Sequence, residues 1–350
     1  MAWNIKIMSR KTSNARGLDL TFPRHTTKET TMSYVNHLTV LGAGVLGGQI
    51  SWHSAFKGKS VVVYDISEEA LARCRAAQAH YAAIYQTEAV GASEADVAGA
   101  RQRLTFTTDL ASAVASADLV IEAVPEIPQV KTSVYQQMAP LLPAHTLIAT
   151  NSSTFLPSDF AAATGRPDKF CALHYANYIW AANLVEIMSH AATARTTLDD
   201  VTRFAIETGM VPIPIGKEHN GYVLNAWFAP LVTAAQALVT NGITTPEVVD
   251  RTFLIANPGA RMGPMGMMDV VGMKTCYDVS MHWGQVLGDR QQLANAEYIK
   301  THLMDKGRMG MLSGKGYYDY PNPAYEDAGF LSVPPLSQLS KIVDRCTPAA

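Results

Sequence analysis

The stretch His37-Leu38-Thr39-Val40-Leu41-Gly42-Ala43-Gly44-Val45-Leu46-Gly47 decides how the rest of this chain is read. Leu38 to Leu41 is a short apolar run of strand length. Three glycines in G-x-G-x-x-G spacing follow it, and Gln49 to Lys57 has the composition of a helix. Each glycine answers a physical need. Gly42 permits a tight turn, Gly44 lets the backbone approach a pyrophosphate, and Gly47 lets helix and strand pack closely. The phosphates then meet a helix N-terminus, so Gly42, Gly44, Val45, Leu46 and Gly47 form the candidate cofactor loop. A second strand, Ser60 to Tyr64, ends at Asp65, 23 residues after Gly42, the spacing of an acid that binds ribose hydroxyls. Such an acid repels a 2′-phosphate, so the expected cofactor is NAD rather than NADP. Gly58-Lys59-Ser60 resembles the end of a P-loop, but His53 stands where the first glycine belongs.

Working outward, strands are expected at Leu104 to Thr107, Leu119 to Val124, Leu147 to Thr150, Phe170 to Tyr175 and Leu184 to Met188. Helices are expected at Glu68 to Tyr85, capped by Ser67, and at Leu198 to Thr208. Alternation of this kind predicts an α/β Rossmann-type doubly wound sheet over residues 36–216. After Gly216 the character changes. Tyr222 to Val239 is apolar almost all round, so it is expected to be buried in an all-α C-terminal domain, residues 217–330, or in a subunit interface. Residues 331–350 read as a tail. Residues 1–35 read as a loose extension that can be removed, with Met32 an alternative initiator; Asp19, Glu29 and the lack of an amphipathic face argue against a transit peptide.

Composition excludes several classes. Of the 350 residues 48% are hydrophobic and 17% charged, with a net charge of -2, so neither disorder nor an electrostatic grip on nucleic acid is expected, and a small molecule is the natural partner. No apolar run reaches the roughly 18 residues of a membrane span. Cys74, Cys171, Cys276 and Cys346 are scattered without a C-x-x-C pair, and neither they nor the ten histidines form a metal-binding spacing. Cytoplasmic location and no bound metal are the expectations.

Three segments carry chemistry: Asn151-Ser152-Ser153, His174-Tyr175-Ala176-Asn177 and Leu184-Val185-Glu186. Hydride transfer between NAD and a secondary alcohol needs a group that takes the hydroxyl proton, and histidine titrates near neutrality. Glu186 is suited to orient such a base. Structural alternatives stand beside this reading: a satisfied core histidine, a helix-capping Ser153 and a buried ion pair for Glu186. A hydrolase triad of Ser153, His174 and Glu186 is the rival chemistry, but it lacks the G-x-S-x-G elbow and leaves the dinucleotide loop without a role.

Taken together with Asp118-Leu119-Val120-Ile121-Glu122-Ala123-Val124-Pro125-Glu126, Gly221-Tyr222-Val223-Leu224-Asn225, the run Gly263 to Asp269 and the run Gly314 to Tyr320, these motifs resemble the 3-hydroxyacyl-CoA dehydrogenases. The resemblance spans about Asn36 to Tyr320. It implies that His174 is the acid/base, Glu186 its partner, and Ser153 and Asn225 contacts to the substrate oxygen. Glu126, Lys131, Asn151 and Asn177 would lie near the cofactor. It also implies a helical C-terminal domain that pairs two copies as a homodimer, with a short-chain acyl-CoA as substrate.

Two departures bear on the substrate. The family usually reads His-Phe-Phe-Asn-Pro where this chain has His174-Tyr175-Ala176-Asn177-Tyr178, and its arginine after the second-domain asparagine is Ala226 here. No lysine occurs between Lys59 and Lys131, which leaves Arg73 and Arg75 as the candidate grip on CoA phosphates. The alternatives are the same chemistry on a free 3-hydroxy acid or sugar acid, and a crystallin-like nucleotide-binding protein; the joint presence of Ser153, His174, Glu186 and Asn225 favours an enzyme.

Overall fold

The computed structural model describes residues 35–89, 91–257, 259–327 and 329–330. The expectations for the leader, residues 1–34, and for the tail, 331–350, fall outside them. The chain forms two compact units that divide between Ala226 and Trp227.

The first unit is built on β1 (His37–Leu41), β2 (Ser60–Tyr64), β3 (Leu104–Thr107), β4 (Leu119–Glu122), β5 (Leu147–Thr150), β6 (Phe170–Tyr175), β7 (Leu184–Met188) and β8 (Val211–Ile215). They lie in the order β3-β2-β1-β4-β5-β6-β7-β8. Neighbouring strands are parallel except for the antiparallel pair β6–β7. Helices α1 (Val45–Phe56), α2 (Glu68–Ile84), α3 (Glu94–Gln102), α4 (Leu110–Val114), α5 (Pro128–Met138) and α6 (Arg195–Glu207) connect them. Every residue of β4, β5 and β6 is buried. That is the pattern of a parallel sheet covered on both faces. Along β1 alternate residues point to opposite faces. Val40 joins a core with Ile50, Leu71 and Phe204, while Leu41 joins another with Tyr135, Met138 and Phe170. Strand order reverses between β1 and β4, so the crevice for a ligand lies beyond their carboxyl ends.

The doubly wound sheet is as expected, with corrections at its margins. Helix α1 begins at Val45, four residues before the expected Gln49, because the third glycine sits inside its first turn rather than before it. Strand β4 stops at Glu122 instead of Val124, and α6 begins at Arg195 instead of Leu198. Strand β8, with the sequence VPIPI, is not legible as a strand, since Pro212 and Pro214 cannot donate to a ladder. It is tolerated because β8 is the last strand and pairs only with β7. Ser67 caps α2 as expected, accepting from the Ala70 N–H at 3.2 Å.

The second unit holds most of α7 (Leu224–Thr240), then α8 (Pro246–Ala256), α9 (Pro264–Val271), α10 (Met273–Leu287) and α11 (Arg290–Tyr298). Leu254, Met265, Met268, Met273, Ile299 and Leu303 form its core. Two buried carboxylates pin its irregular segments. Asp250 accepts from the N–H of Met265 at 2.7 Å and of Gly266 at 2.8 Å. Asp269 accepts from the N–H of Tyr317 at 2.7 Å and of Tyr318 at 2.9 Å. A side chain at Gly316 would collide with the Asp269 carboxylate. The glycine-bearing runs at 263–269 and 314–320 therefore serve the internal packing of this unit. Burial pushes both carboxyls up to about 6 against the pull of these donors.

Helix α7 is not buried within its own unit, the first of the two expectations for it. Of its residues only Ala235, Gln236 and Val239 are buried, and Trp227 is 55% exposed. In a single chain its apolar surface is larger than the stripe its own unit covers.

Candidate active site

The nucleotide loop follows β1 without a break. Gly42 has φ +105°, and a Cβ there would strike the Ala123 carbonyl oxygen at the end of β4; its N–H donates to the Tyr64 carbonyl at 2.8 Å. A Cβ at Gly47 would strike the Gly42 carbonyl oxygen, whereas one at Gly44 would meet open space. The first and third glycines are thus demanded by the protein's own packing, and the second leaves room for a ligand. Helix α1 has no side-chain cap on its N-terminus and no acid in its first turn, so its N–H groups remain available to an anion. Asp65 is fixed at the end of β2 by the N–H of Ala43 at 2.8 Å and of Ser67 at 3.1 Å. Next to it lies a cavity of about 340 Å³ lined by Ile66, Leu110, Val130 and Val134, an apolar slot suited to a flat ring. The residues fit a dinucleotide.

The candidate acid/base pair, His174 and Glu186, arises from strand register. His174 and Glu186 are direct cross-strand partners on β6 and β7, so their side chains share one face. Nδ1 of His174 lies 2.7 Å from Oε2 of Glu186, and the two residues are 3% and 1% exposed. The other oxygen, Oε1, accepts from the N–H of Val223 at 2.9 Å and of Leu224 at 2.8 Å. Burial pushes the Glu186 carboxyl up, but the His174 hydrogen bond and these two N–H groups outweigh it and hold it below the usual carboxylate range. An ionised Glu186 accepts and cannot donate, so Nδ1 of His174 carries a proton and Nε2 is the nitrogen open to a substrate. Nε2 has no hydrogen-bond partner among the described residues. The ring of Tyr222 lies 5.0 Å from that of His174, and its hydroxyl donates to the Phe155 carbonyl at 3.2 Å.

Ser153 sits on the turn after β5. Its hydroxyl makes no hydrogen bond among the described residues, while its carbonyl accepts from Nδ2 of Asn225 at 3.1 Å. The structure therefore brings Ser153 and Asn225 into contact. Asn151 ties β5 to β6, since its Oδ1 accepts from the Tyr175 N–H at 2.9 Å.

Two profiles match this chain: the NAD binding domain of 3-hydroxyacyl-CoA dehydrogenase over residues 37–219, and its C-terminal domain over 221–320. The chain belongs to the 3-hydroxyacyl-CoA dehydrogenase family. It is an NAD-dependent oxidoreductase. A solved diketoreductase, described by its substrate-directed dual catalysis of dicarbonyl compounds, is 43% identical with a TM-score of 0.72, covering 82% of this chain and 99% of its own. A probable 3-hydroxybutyryl-CoA dehydrogenase of Deinococcus radiodurans is 30% identical over 80% of this chain and 99% of its own. The mitochondrial hydroxyacyl-coenzyme A dehydrogenase of Sus scrofa is 29% identical over 82% of this chain and 91% of its own.

Among residues the family resemblance points to, Glu126 and Lys131 are already engaged. Nζ of Lys131, a residue 1% exposed, lies 2.7 Å from Oε1 of Glu122 and 3.1 Å from Oε2 of Glu126. Oε1 of Glu126 accepts from the Ser152 hydroxyl at 2.6 Å and from the N–H of Ser153 and Thr154 at 2.9 and 3.0 Å. Burial opposes the charge on Glu126, but the Lys131 ammonium and these donors hold its carboxyl below the usual range. Glu126 is thus the post on which the Ser153 turn hangs. Sequence reasoning missed Glu122, which is fully buried and accepts also from the Tyr135 hydroxyl at 2.7 Å and the Thr150 hydroxyl at 2.8 Å. The signal was a carboxylate inside the otherwise apolar run Leu119 to Val124. Of the two arginines on α2, Arg75 lies over the Phe106 ring at 4.6 Å, and Arg73, two residues away on the same helix, faces a different way.

Among the described residues no helix is long and apolar enough to cross a membrane, and no cluster of three His, Cys, Asp or Glu could hold a metal ion. The described cysteines, Cys74, Cys171 and Cys276, are free.

Proposed function

We propose that this chain interconverts a 3-oxo and a 3-hydroxy group, and that its substrate is a small dicarbonyl compound not linked to CoA. The observation that carries the chemistry is the buried His174–Glu186 pair with Nε2 of His174 unpartnered, on the same edge of the sheet as the glycine loop. NAD, when bound, supplies or accepts the hydride. Gly44 and the N-terminus of α1 would hold its pyrophosphate, Asp65 its ribose hydroxyls and the slot at Ile66 its adenine. In reduction, Nε2–H of His174 would donate to the substrate oxygen and pass its proton to it; in oxidation Nε2 would take that proton back. Glu186 keeps Nδ1 protonated and balances the imidazolium. The Ser153 hydroxyl, whose backbone is hung on Glu126, would donate to the same oxygen.

Two observations favour a substrate without CoA. One is the 43% identity to the diketoreductase, well above that to the CoA-dependent relatives reported above. The other is α2, where Arg75 is laid over Phe106 and Arg73 is the one cation left to meet a phosphate. A short-chain acyl-CoA is the second reading, favoured by the names of those relatives. NADH oxidation measured with a 3,5-dioxo ester, a free 3-oxo acid and acetoacetyl-CoA decides between them. The proposal expects kcat/KM to be highest with an uncoupled dicarbonyl; a preference for acetoacetyl-CoA overturns it.

We also propose that two copies pair through the apolar surface left on α7 around Trp227 and Leu238. Sedimentation velocity showing a monomer at micromolar concentration contradicts this.

A further inference from the structure

The loop after His174 is held at both ends. On one side the Tyr175 N–H donates to Asn151, and on the other the Tyr178 N–H donates to Oε1 of Gln49 at 2.8 Å, with the Ile179 N–H reaching the same oxygen at 3.4 Å. Ala176 and Asn177 are suspended between these anchors. Asn177 is half-buried, and its amide makes no hydrogen bond among the described residues. An amide offers both donors and an acceptor, which suits a carboxamide or a carbonyl oxygen.

Gln49 is 4% exposed and lies on α1, five residues after Gly44. One buried amide therefore links the helix that meets the pyrophosphate to the loop that carries Asn177.

Tyr178 has φ +59°, the left-handed region that an L side chain rarely adopts, and such a conformation persists only where the surroundings impose it. The proline usual at this position has φ fixed near −65° and no N–H, so it could neither take this conformation nor bind Gln49. Gln49 and Tyr178 thus act as a pair that a proline would make useless. The Tyr178 ring completes the arrangement by packing edge-on against Trp180 at 5.3 Å, which in turn lies 5.3 Å from Tyr81.

We infer that Gln49 is a positioning residue of the reaction: by holding Tyr178 in its left-handed conformation it sets where the Asn177 amide stands relative to the bound dinucleotide and the carbonyl. This rests on the carbonyl-reducing reading above. It leads to a kinetic test by a double-mutant cycle on the full-length enzyme with NADH and its best carbonyl substrate. Gln49→Leu lowers kcat roughly tenfold, with little change in KM for NADH, because the phosphate cradle is intact while the loop relaxes. In a Tyr178→Gly background the same substitution costs less than about twofold, since glycine takes positive φ unaided. An equal loss in both backgrounds, or no loss in either, overturns the inference.

Tyr178→Pro keeps the test available if Gln49→Leu does not fold. It removes the N–H that Gln49 binds, so kcat falls roughly tenfold; unchanged turnover overturns the inference. A wild type that reduces no carbonyl with NADH refutes the reading of the reaction, whereas a wild type that turns over and tolerates these changes refutes only the role of Gln49.

Discussion

His53 makes the stability of the first unit depend on pH in a way that can be worked from its surroundings. It is 6% exposed on α1, with Nε2 at 2.7 Å from the Thr208 carbonyl and Nδ1 at 2.6 Å from the Tyr85 hydroxyl. A carbonyl only accepts, so Nε2 carries the proton and Nδ1 accepts from Tyr85. A second proton would place a buried charge there and turn Tyr85's acceptor into a donor. Burial, opposed by Thr208 and reinforced by Lys57, lowers the His53 pKa from 6.5 to about 4. Above 6.5 the imidazole is neutral in folded and unfolded chains, and its full contribution is present. As pH falls from 6.5 towards 4 the unfolded chain takes up a proton that the fold refuses, and stability declines by about 3 kcal/mol. His53→Gln, which can still donate to Thr208 but does not titrate, lacks this decline. Urea unfolding followed by Trp52 and Trp180 fluorescence at pH 7.5, 5.5 and 4 should therefore show the wild type losing about 3 kcal/mol relative to the variant. Taking the difference cancels carboxylates that titrate in both proteins. Parallel stability curves would refute the argument.

Other consequences follow from the same geometry. Lys131→Met leaves Glu122 and Glu126 without their shared cation, and should cost about 3–5 kcal/mol in urea unfolding; restoring the balance with Glu122→Gln should recover part of it. A loss below about 1 kcal/mol would mean that water reaches the pair. With Asp65 held toward the nucleotide loop, kcat/KM should favour NADH over NADPH strongly, and Asp65→Ser should narrow the gap. Comparable use of both cofactors by the wild type would show that Asp65 does not meet the ribose.

The sheet was legible because a parallel strand buried on both faces leaves an uninterrupted apolar run, and because a glycine turn between such a run and a helix has few other uses. Where these signals are mixed, reading fails. Strand β8 carries prolines that only an edge tolerates, and α7 is apolar on faces its own unit does not cover. His174 and Glu186 could be picked out by residue type only as candidates, their pairing being what the family resemblance implied, and what joins them is the β6–β7 register, a long-range property. The roles of Gln49 and Glu122 were not legible for a related reason. Each is a polar residue in a local pattern of helix or strand, and its partners lie far along the chain.

The central claim is that His174, oriented by Glu186, moves the proton while NAD moves the hydride. Single-turnover oxidation of prebound NADH by a saturating dicarbonyl substrate, followed in wild type and His174→Gln, tests it most directly. The account predicts unchanged NADH binding, measured by fluorescence titration, and a rate about two to four orders of magnitude lower. A variant that binds NADH and oxidises it at close to the wild-type rate would contradict the account.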